Sequence, residues 1–218
     1  TVFDTLLDRS ELMTREALAR IPAGEYRYTD YLDNDGVNLD QRIRISVNAI
    51  VGDGEVTFDL GQSSRQVDGP FNCVPSGSLS AACFAIRVLT GSDIPTNGGC
   101  FRPIHLRLPQ GSIVNPTEPA PVNARTSTIK RLAGSMVGAF RNVMPEKVTA
   151  DAASEMLILQ FGGQQLDGRR FVVGELIASG SGAGIATDGV DVIETDASNC
   201  MNLPVEALEL EVRITTRS

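Results

Sequence analysis

Arg42-Ile43-Arg44-Ile45-Ser46-Val47-Asn48-Ala49, continued through Asp53-Gly54 to Val56-Thr57-Phe58-Asp59-Leu60, is the stretch on which the fold turns. In an extended chain Ile43, Ile45, Val47 and Ala49 share one face, and Arg42, Arg44, Ser46 and Asn48 share the other. That period of two is what a half-buried strand requires. Asp53-Gly54 tolerates positive φ at both positions, the chemistry of a type I′ turn. Val56, Phe58 and Leu60 then resume the alternation. The pattern predicts a β-hairpin with one apolar face. A lone hairpin is marginal in water, so other elements must cover that face.

Working outward, Glu25 to Tyr31 alternates and is rich in tyrosine, which suits another strand. Phe3, Leu6, Leu7, Met13, Ala17 and Ile21 approximate a helical stripe before Pro22. Asp33-Asn34-Asp35-Gly36 reads as a turn; it lacks the closing glutamate of a calcium loop. Ser78 to Leu89 predicts a small-residue helix with Leu79, Ala82, Cys83, Ile86 and Leu89 inward. Ile104, Leu106 and Leu108 alternate with His105 and Arg107, and Ile113-Val114 suggests a short strand. The prolines of 115–121 forbid regular structure. A helix is expected from Ala124 to Val143, with Ile129, Leu132, Ala133, Met136, Val137, Phe140 and Val143 inward and Pro145 beyond. Met156–Phe161 and Arg170–Ile177 read as two more strands, with turn residues at Gly162-Gly163 and Asp167-Gly168. The segment Val205–Thr215 fits either a strand or a short helix. The fold class expected is α+β: an antiparallel or mixed sheet with packed helices in a single domain over 1–218.

The 218 residues are 42% hydrophobic and 21% charged, with a formal net charge of -8. An acidic surface argues against a nucleic-acid or anionic-membrane partner. No apolar run is long enough to span a membrane, and no signal peptide is visible. The four cysteines, at 73, 83, 100 and 200, form no CxxC pair. Scattered thiols in a chain of this size point to a reduced, cytoplasmic setting. The first residue is Thr1 rather than Met, as in a processed or cut piece.

Candidate chemistry concentrates in loops. Ile94-Pro95-Thr96-Asn97-Gly98-Gly99-Cys100-Phe101-Arg102-Pro103 cannot be helical. It offers the Asn97 amide and the planar Arg102 cation either to a polar ligand or, in Arg102's case, to a structural carboxylate such as Asp93 or Glu118. Asn72, in Gly69-Pro70-Phe71-Asn72, has the same loop character. Ser179-Gly180-Ser181-Gly182-Ala183-Gly184 is the densest glycine cluster. GxGxxG fails at Ile185 and Thr187, and no Gly-Lys-Ser/Thr follows, so a close-packing or ligand-approach role is expected instead of a phosphate cradle. Asp188, Asn199, Asn202, Glu206 and Glu209 could hold a polar substrate or simply cap turns. Ser63-Ser64 has no histidine nearby in sequence. His105 is the only histidine, which disfavours a hydrolase triad and a self-contained transition-metal site. The substrate-binding candidates are Asn72, Asn97, Arg102, Gly182 and Asp188, with the first three expected on one side of the fold near 180–184.

The order of the motifs is more specific than any one of them. Asp35-Gly36 is followed by Thr57-Phe58-Asp59-Leu60-Gly61-Gln62-Ser63-Ser64-Arg65-Gln66-Val67-Asp68-Gly69-Pro70-Phe71-Asn72. Ile94 to Ile104, Pro109 to Pro116, Pro119 to Arg125, Gly182-Ala183, Asp188-Gly189 and Asn199 to Glu209 come next. In this order the chain resembles the B-type subunit of the hydantoinase/5-oxoprolinase family. It departs from the family where Ser179-Gly180 replaces a glycine pair. It also has no counterpart of the family's N-terminal portion or of its C-terminal Asp-Ser-Gly-Gly region, so it reads as a middle segment. The resemblance implies a part in ATP-dependent cleavage of a cyclic amide such as a hydantoin or 5-oxoproline. An A-type partner would use ATP and Mg to phosphorylate the amide oxygen, and water on a divalent metal in the N-terminal portion of the B-type component would open the ring. No cofactor is expected on this segment itself, and an oligomer is. Related ketone carboxylases share the two-component logic, and a non-catalytic scaffold role is the other alternative.

Overall fold

The computed structural model describes residues 1–91, 93–153, 157–165 and 167–193. A four-stranded sheet is ordered β1 (Gly24–Leu32), β2 (Ile43–Gly52), β3 (Glu55–Asp59) and β4 (Ile104–Arg107). Helices α2 (Pro75–Thr90) and α3 (Arg125–Gly138) pack on each other, and α3 also packs on β1 and β2. α1 (Val2–Leu18) touches α2 and β3. A separate two-stranded ribbon comprises β5 (Leu157–Gln164) and β6 (Arg170–Ile177). The fold is α+β.

The hairpin forms as its pattern dictates. Val51 pairs with Val56 and Gly52 with Glu55, with Asp53 at φ 53° and Gly54 at φ 70° in the turn. Ile43, Ile45, Val47, Ala49, Val56 and Phe58 are buried. Above them lie Ala81, Ala82, Ala85 and Ile86 of α2 and Leu132, Ala133 and Met136 of α3, in one hydrophobic cluster. The opposite face of the sheet is polar. There Arg27 bonds Glu25 and Asn48, the hydroxyls of Thr29 and Ser46 lie 3.3 Å apart, and Arg107 reaches Asp59. β1 and β2 are antiparallel, whereas β4 joins β3 in parallel after the crossover through α2. A parallel pair needs such a crossover, so the sheet is mixed.

Several local expectations shift. In α1 the buried residues are Ser10, Thr14 and Leu18, while Phe3 is 79% exposed and Leu6 is also exposed. Ser10 faces the polar loop of 94–103, where its hydroxyl accepts from Asn97 Nδ2, while Leu18 joins the hydrophobic cluster. In α2 the inward face combines small residues with the expected Ile86 and Leu89, and Leu79 is turned out. Ala81, Ala82 and Ala85 let α3 approach closely. Ile113 and Val114 are fully buried but lie in a turn; bridges at Ser112, to Arg65 and to Asn115, replace the expected strand. α3 stops at Gly138, five residues before Val143. Turns with bonds from Phe140 N to Val137 O and from Val143 N to Phe140 O follow, and Phe140 stays buried, its ring 5.3 Å from that of Tyr26. Gly162 and Gly163 lie inside β5, while Asp167-Gly168 do lie in the turn between the strands. Met156, Cys200, the amide and carboxylate candidates at Asn199, Asn202, Glu206 and Glu209, and the segment Val205–Thr215 lie outside the described residues.

Candidate functional site

The loop of 94–103 is the seat of α1. The Asn97 Oδ1 accepts from Gly99 N at 2.8 Å, and Asn97 Nδ2 donates to Ser10 Oγ at 2.8 Å. Gly99 is required by proximity: a Cβ there would stand 2.0 Å from the Leu7 carbonyl oxygen. Arg102 Nη1 donates to Asp8 Oδ1 and Glu11 Oε2, both at 2.9 Å, with its side chain 43% exposed. The carboxylates anticipated for it, Asp93 and Glu118, give way to two on α1. The charges continue through Arg15, which bonds Glu11 and Glu55, to His105, whose Nε2 lies 3.1 Å from Glu55 Oε2. Hydrogen bonds from Arg102 and Arg15 hold the Glu11 carboxyl below its usual value.

Asn72 is fully buried in a different neighbourhood. Its Oδ1 accepts from Val67 N, and its Nδ2 donates to the carbonyls of Val67, Gly69 and Pro121. This amide pins the chain before α2 to the chain before α3. Beside it, Asp35 accepts from Asn38 N, Val37 N, Gly69 N and Asn38 Nδ2. Those donors, the Asn38 backbone N–H foremost, lower its pKa to about 2. Gly69 passes so near Asp35 that a Cβ would fall 1.6 Å from the Asp35 carbonyl oxygen. The structure therefore brings Asn97 and Arg102 together on α1 and gives Asn72 other partners.

Gly182 presses against the segment after α3. A Cβ on it would meet Ala150 O at 1.7 Å, and Ala150 N donates to Ala183 O at 2.8 Å. Ser181 Oγ accepts from Val190 N, and Gly184 N donates to Thr187 O in a tight turn that Asp188, exposed, follows directly. No helix starts at this cluster, so it lacks the N-terminal amides of a phosphate cradle.

The contact between 150 and 182 closes one side of a cleft of about 260 Å³. Phe84 and Val88 of α2 and Val137 of α3 form its apolar wall, with Tyr28 of β1; Thr149, Asp151 and Ser181 bring polar groups. Two glycines one helical turn apart shape α3 here. A Cβ on Gly138 would stand 3.0 Å from the Tyr28 ring, and one on Gly134 2.8 Å from Asp151 Oδ1. Arg131, on the preceding turn, donates through Nη1 to Asp30 Oδ2 at 2.8 Å and Asp151 Oδ2 at 3.0 Å. The Arg141 guanidinium lies 5.0 Å from the centre of the Tyr28 ring. Burial, then the charges of Asp30 and Asp151, push the Tyr28 hydroxyl pKa up. Sequence reasoning alone misses Tyr28, Arg131, Gly134, Gly138 and Asp151. The Gly134-x-x-x-Gly138 spacing is the signal that could have found them, since it marks a bare helix face open to close approach.

Among the described residues, no group of three or more His, Cys, Asp or Glu side chains could hold a metal ion. The described side chains therefore do not fit a divalent metal, which the resemblance assigns to the N-terminal portion of the B-type component. No helix among the described residues is long and apolar enough to cross a membrane.

This mixed sheet with two helices on one face, and with motif residues working as backbone latches, belongs to a recognisable class. The chain is a member of the hydantoinase B/oxoprolinase family, whose model matches residues 1–218. It is 30% identical over 218 residues to the B-type subunit of a D-/L-hydantoinase, named as putative, from Pseudomonas sp. (strain NS671), covering 94% of this chain and 36% of that one. To the 5-oxoprolinase of Dictyostelium discoideum it is 31% identical over 182 residues, covering 83% and 13%. The ATP-dependent caprolactamase from Pseudomonas jessenii superimposes with a TM-score of 0.81 at 26% identity, over 94% of this chain and 36% of that structure. A nucleotide-free acetone carboxylase does so with a TM-score of 0.74 at 20% identity, over 92% and 29%, a likeness of fold. The chain thus spans 36% or less of the length of these relatives.

Proposed function

We propose that this chain is part of the B-type component of an ATP-dependent cyclic amidase that acts with an A-type partner. The observation that carries the reading is the family match along 1–218, joined by the likeness to a caprolactamase at 26% identity. An amide ring is a poor electrophile, and phosphorylating its oxygen makes attack by water feasible. In this reading the nucleotide step belongs to the A-type partner, and the metal-assisted attack to parts of the B-type component other than the described residues. This chain's own residues contribute shape. Asn97 and Arg102 seat α1, Asn72 and Asp35 lock the approach to α2 and α3, and the cleft beside Gly182 offers a concave, mixed surface. The surroundings are cytoplasmic and the assembly is a hetero-oligomer. Ketone carboxylation is the second reading, but its structural relative lies at 20% identity and speaks for the fold alone.

The test is turnover by the full-length protein carrying this chain, mixed with its A-type partner, ATP and Mg. Hydantoin, 5-oxoproline and caprolactam are offered in turn, and an aryl ketone with bicarbonate in parallel. ATP-dependent ring opening supports the reading; carboxylation of the ketone without ring opening overturns it. The 218-residue chain alone is expected to hydrolyse neither ATP nor an amide ring.

A further inference from the structure

We propose that the cleft between residues 35–43 and 64–68 binds the carboxylate that opening of a cyclic amide produces. This rests on the cyclic-amidase reading and gives its product a place on the chain. Hydrolysis of such a ring breaks the acyl C–N bond. The water oxygen stays on the acyl carbon as a carboxylate, and the tethered nitrogen takes a proton. A neutral ring thus becomes a short chain with an anionic group and N–H donors. At about 240 Å³ the cleft falls below the roughly 300–1,000 Å³ of sites for drug-sized ligands and suits a molecule of that size.

Charge selects the ligand. Arg42 and Arg65 line the cleft, and neither guanidinium has a hydrogen-bond or ion-pair partner among the described residues. Two acids also line it. Asp35 is buried and accepts from Val37 N, Asn38 N, Asn38 Nδ2 and Gly69 N. A carboxylate has about four acceptor positions, so Asp35 has none left for a ligand. Asp68 is exposed and unpaired. The uncommitted charges are two guanidiniums and one carboxylate, the complement of an anion that also carries N–H groups. A planar guanidinium meets a carboxylate through two parallel N–H bonds. A phosphate dianion would meet Asp68 as a like charge.

The arginines are mounted on fixed backbone. Ser64 N donates to Arg44 O, and Ser64 Oγ accepts from Arg44 N, both at 2.8 Å. The segment carrying Arg65 is thereby strapped to β2, the strand that Arg42 leads into. Ile113 N donates to Ser64 O and Gln66 N to Gly111 O, which holds the same segment from its other side. The bond from Gly69 N to Asp35 ties the 35–38 turn to it. Backbone ordered before the ligand arrives lowers the cost of binding. The Ser64 hydroxyl, which also lines the cleft, keeps its proton for the ligand.

The experiment uses the full-length protein and calorimetry. N-carbamoylglycine and glutamate, the opened forms of hydantoin and 5-oxoproline, are titrated beside their methyl esters, which lack the carboxylate charge, and beside inorganic phosphate. Arg42→Gln and Arg65→Gln remove one guanidinium each at exposed positions, and a melting temperature equal to wild type verifies each variant. Arg9→Ala, at an exposed position of α1 outside the cleft, is the control for loss of a positive charge. The expected result is binding of at least one of the two acids, at least tenfold weakened in each cleft variant and unchanged in Arg9→Ala. Its ester and phosphate should bind wild type at least tenfold more weakly. Binding of neither acid, unchanged affinity in either folded cleft variant, or an ester or phosphate that binds as tightly as the acid overturns the site. The two readings fail separately. Ring opening whose inhibition by product is unaltered in the cleft variants removes the site and keeps the function. Acid binding that the variants abolish, in a protein that opens no ring, removes the function and keeps the site.

Discussion

Two antiparallel hairpins in this molecule meet opposite fates. β2–β3 turns through Asp53-Gly54 and buries one face completely beneath α2 and α3. β5–β6 turns through Asp167-Gly168, and Leu157, Ile158, Leu159 and Val172 are all exposed. Both have apolar strands and a glycine at positive φ in the turn, Gly54 and Gly168. The strands differ in pattern. β2 alternates from Ile43 to Ala49 and keeps alternating in burial to its end, whereas β5 begins with three consecutive apolar residues and presents apolar groups on both faces. A strict alternation tells the chain which face to cover, and two helices cover it. The comparison teaches that strand formation is local, while stability comes from the layer placed on top.

The sharpest way to break that contrast is Phe58→Ala. Phe58 is fully buried in the first hairpin, and deleting a buried aromatic costs about 3–5 kcal/mol. Denaturant unfolding should show it as a lower midpoint; a loss below about 1 kcal/mol would mean that the helices do not close over the hairpin as described. Asn72→Ala attacks the cover instead of the hairpin. It orphans the Val67 N–H and the carbonyls that receive the amide. The penalty for a buried unsatisfied group is about 1–3 kcal/mol, and hydrogen exchange should quicken in α3 before it does in β2.

The turns provide a finer comparison. Gly54→Ala places a Cβ in left-handed backbone, which costs about 1–2 kcal/mol, and puts it 3.0 Å from the Arg15 carbonyl oxygen. Gly168→Ala meets the same backbone strain with its nearest neighbour, Gln164 Nε2, at 3.8 Å. Thermal melts should rank Gly54→Ala as the more damaging; equal losses would assign the whole cost to backbone strain.

Acid should loosen the cover in a defined window. Asp35 has its pKa lowered from 3.8 to about 2, so it favours the folded state above its unfolded pKa. That contribution fades as pH falls from about 4 toward 2, and Asp35→Asn should flatten the stability profile across this window. A profile unchanged by Asp35→Asn would place the acid-sensitive step elsewhere. The smallest effect belongs to the second hairpin. Val172 is 82% exposed, and Val172→Ala should change stability by less than about 0.5 kcal/mol. A loss near that of Phe58→Ala would show the ribbon to be covered in the assembled protein.

Much was legible from the residues alone. Alternation over Arg42–Leu60 and the Asp53-Gly54 pair specified the central hairpin, because strand faces and turn conformations depend on neighbours within a few residues. The ordered motifs identified the family. Tertiary structure decided the rest: that α1 turns Phe3 outward and Ser10 inward, that β4 runs parallel to β3, and that Arg102 bonds Asp8 and Glu11. It also decided that Tyr28, Gly134, Gly138 and Asp151 share a cleft with Ser181. These outcomes depend on contacts between distant positions, such as Asn97 with Ser10, 87 residues apart, and Arg131 with Asp30, 101 apart. Helical and strand periods report only which side chains share a face. Which face is buried, and against which charges, is settled when separate elements meet.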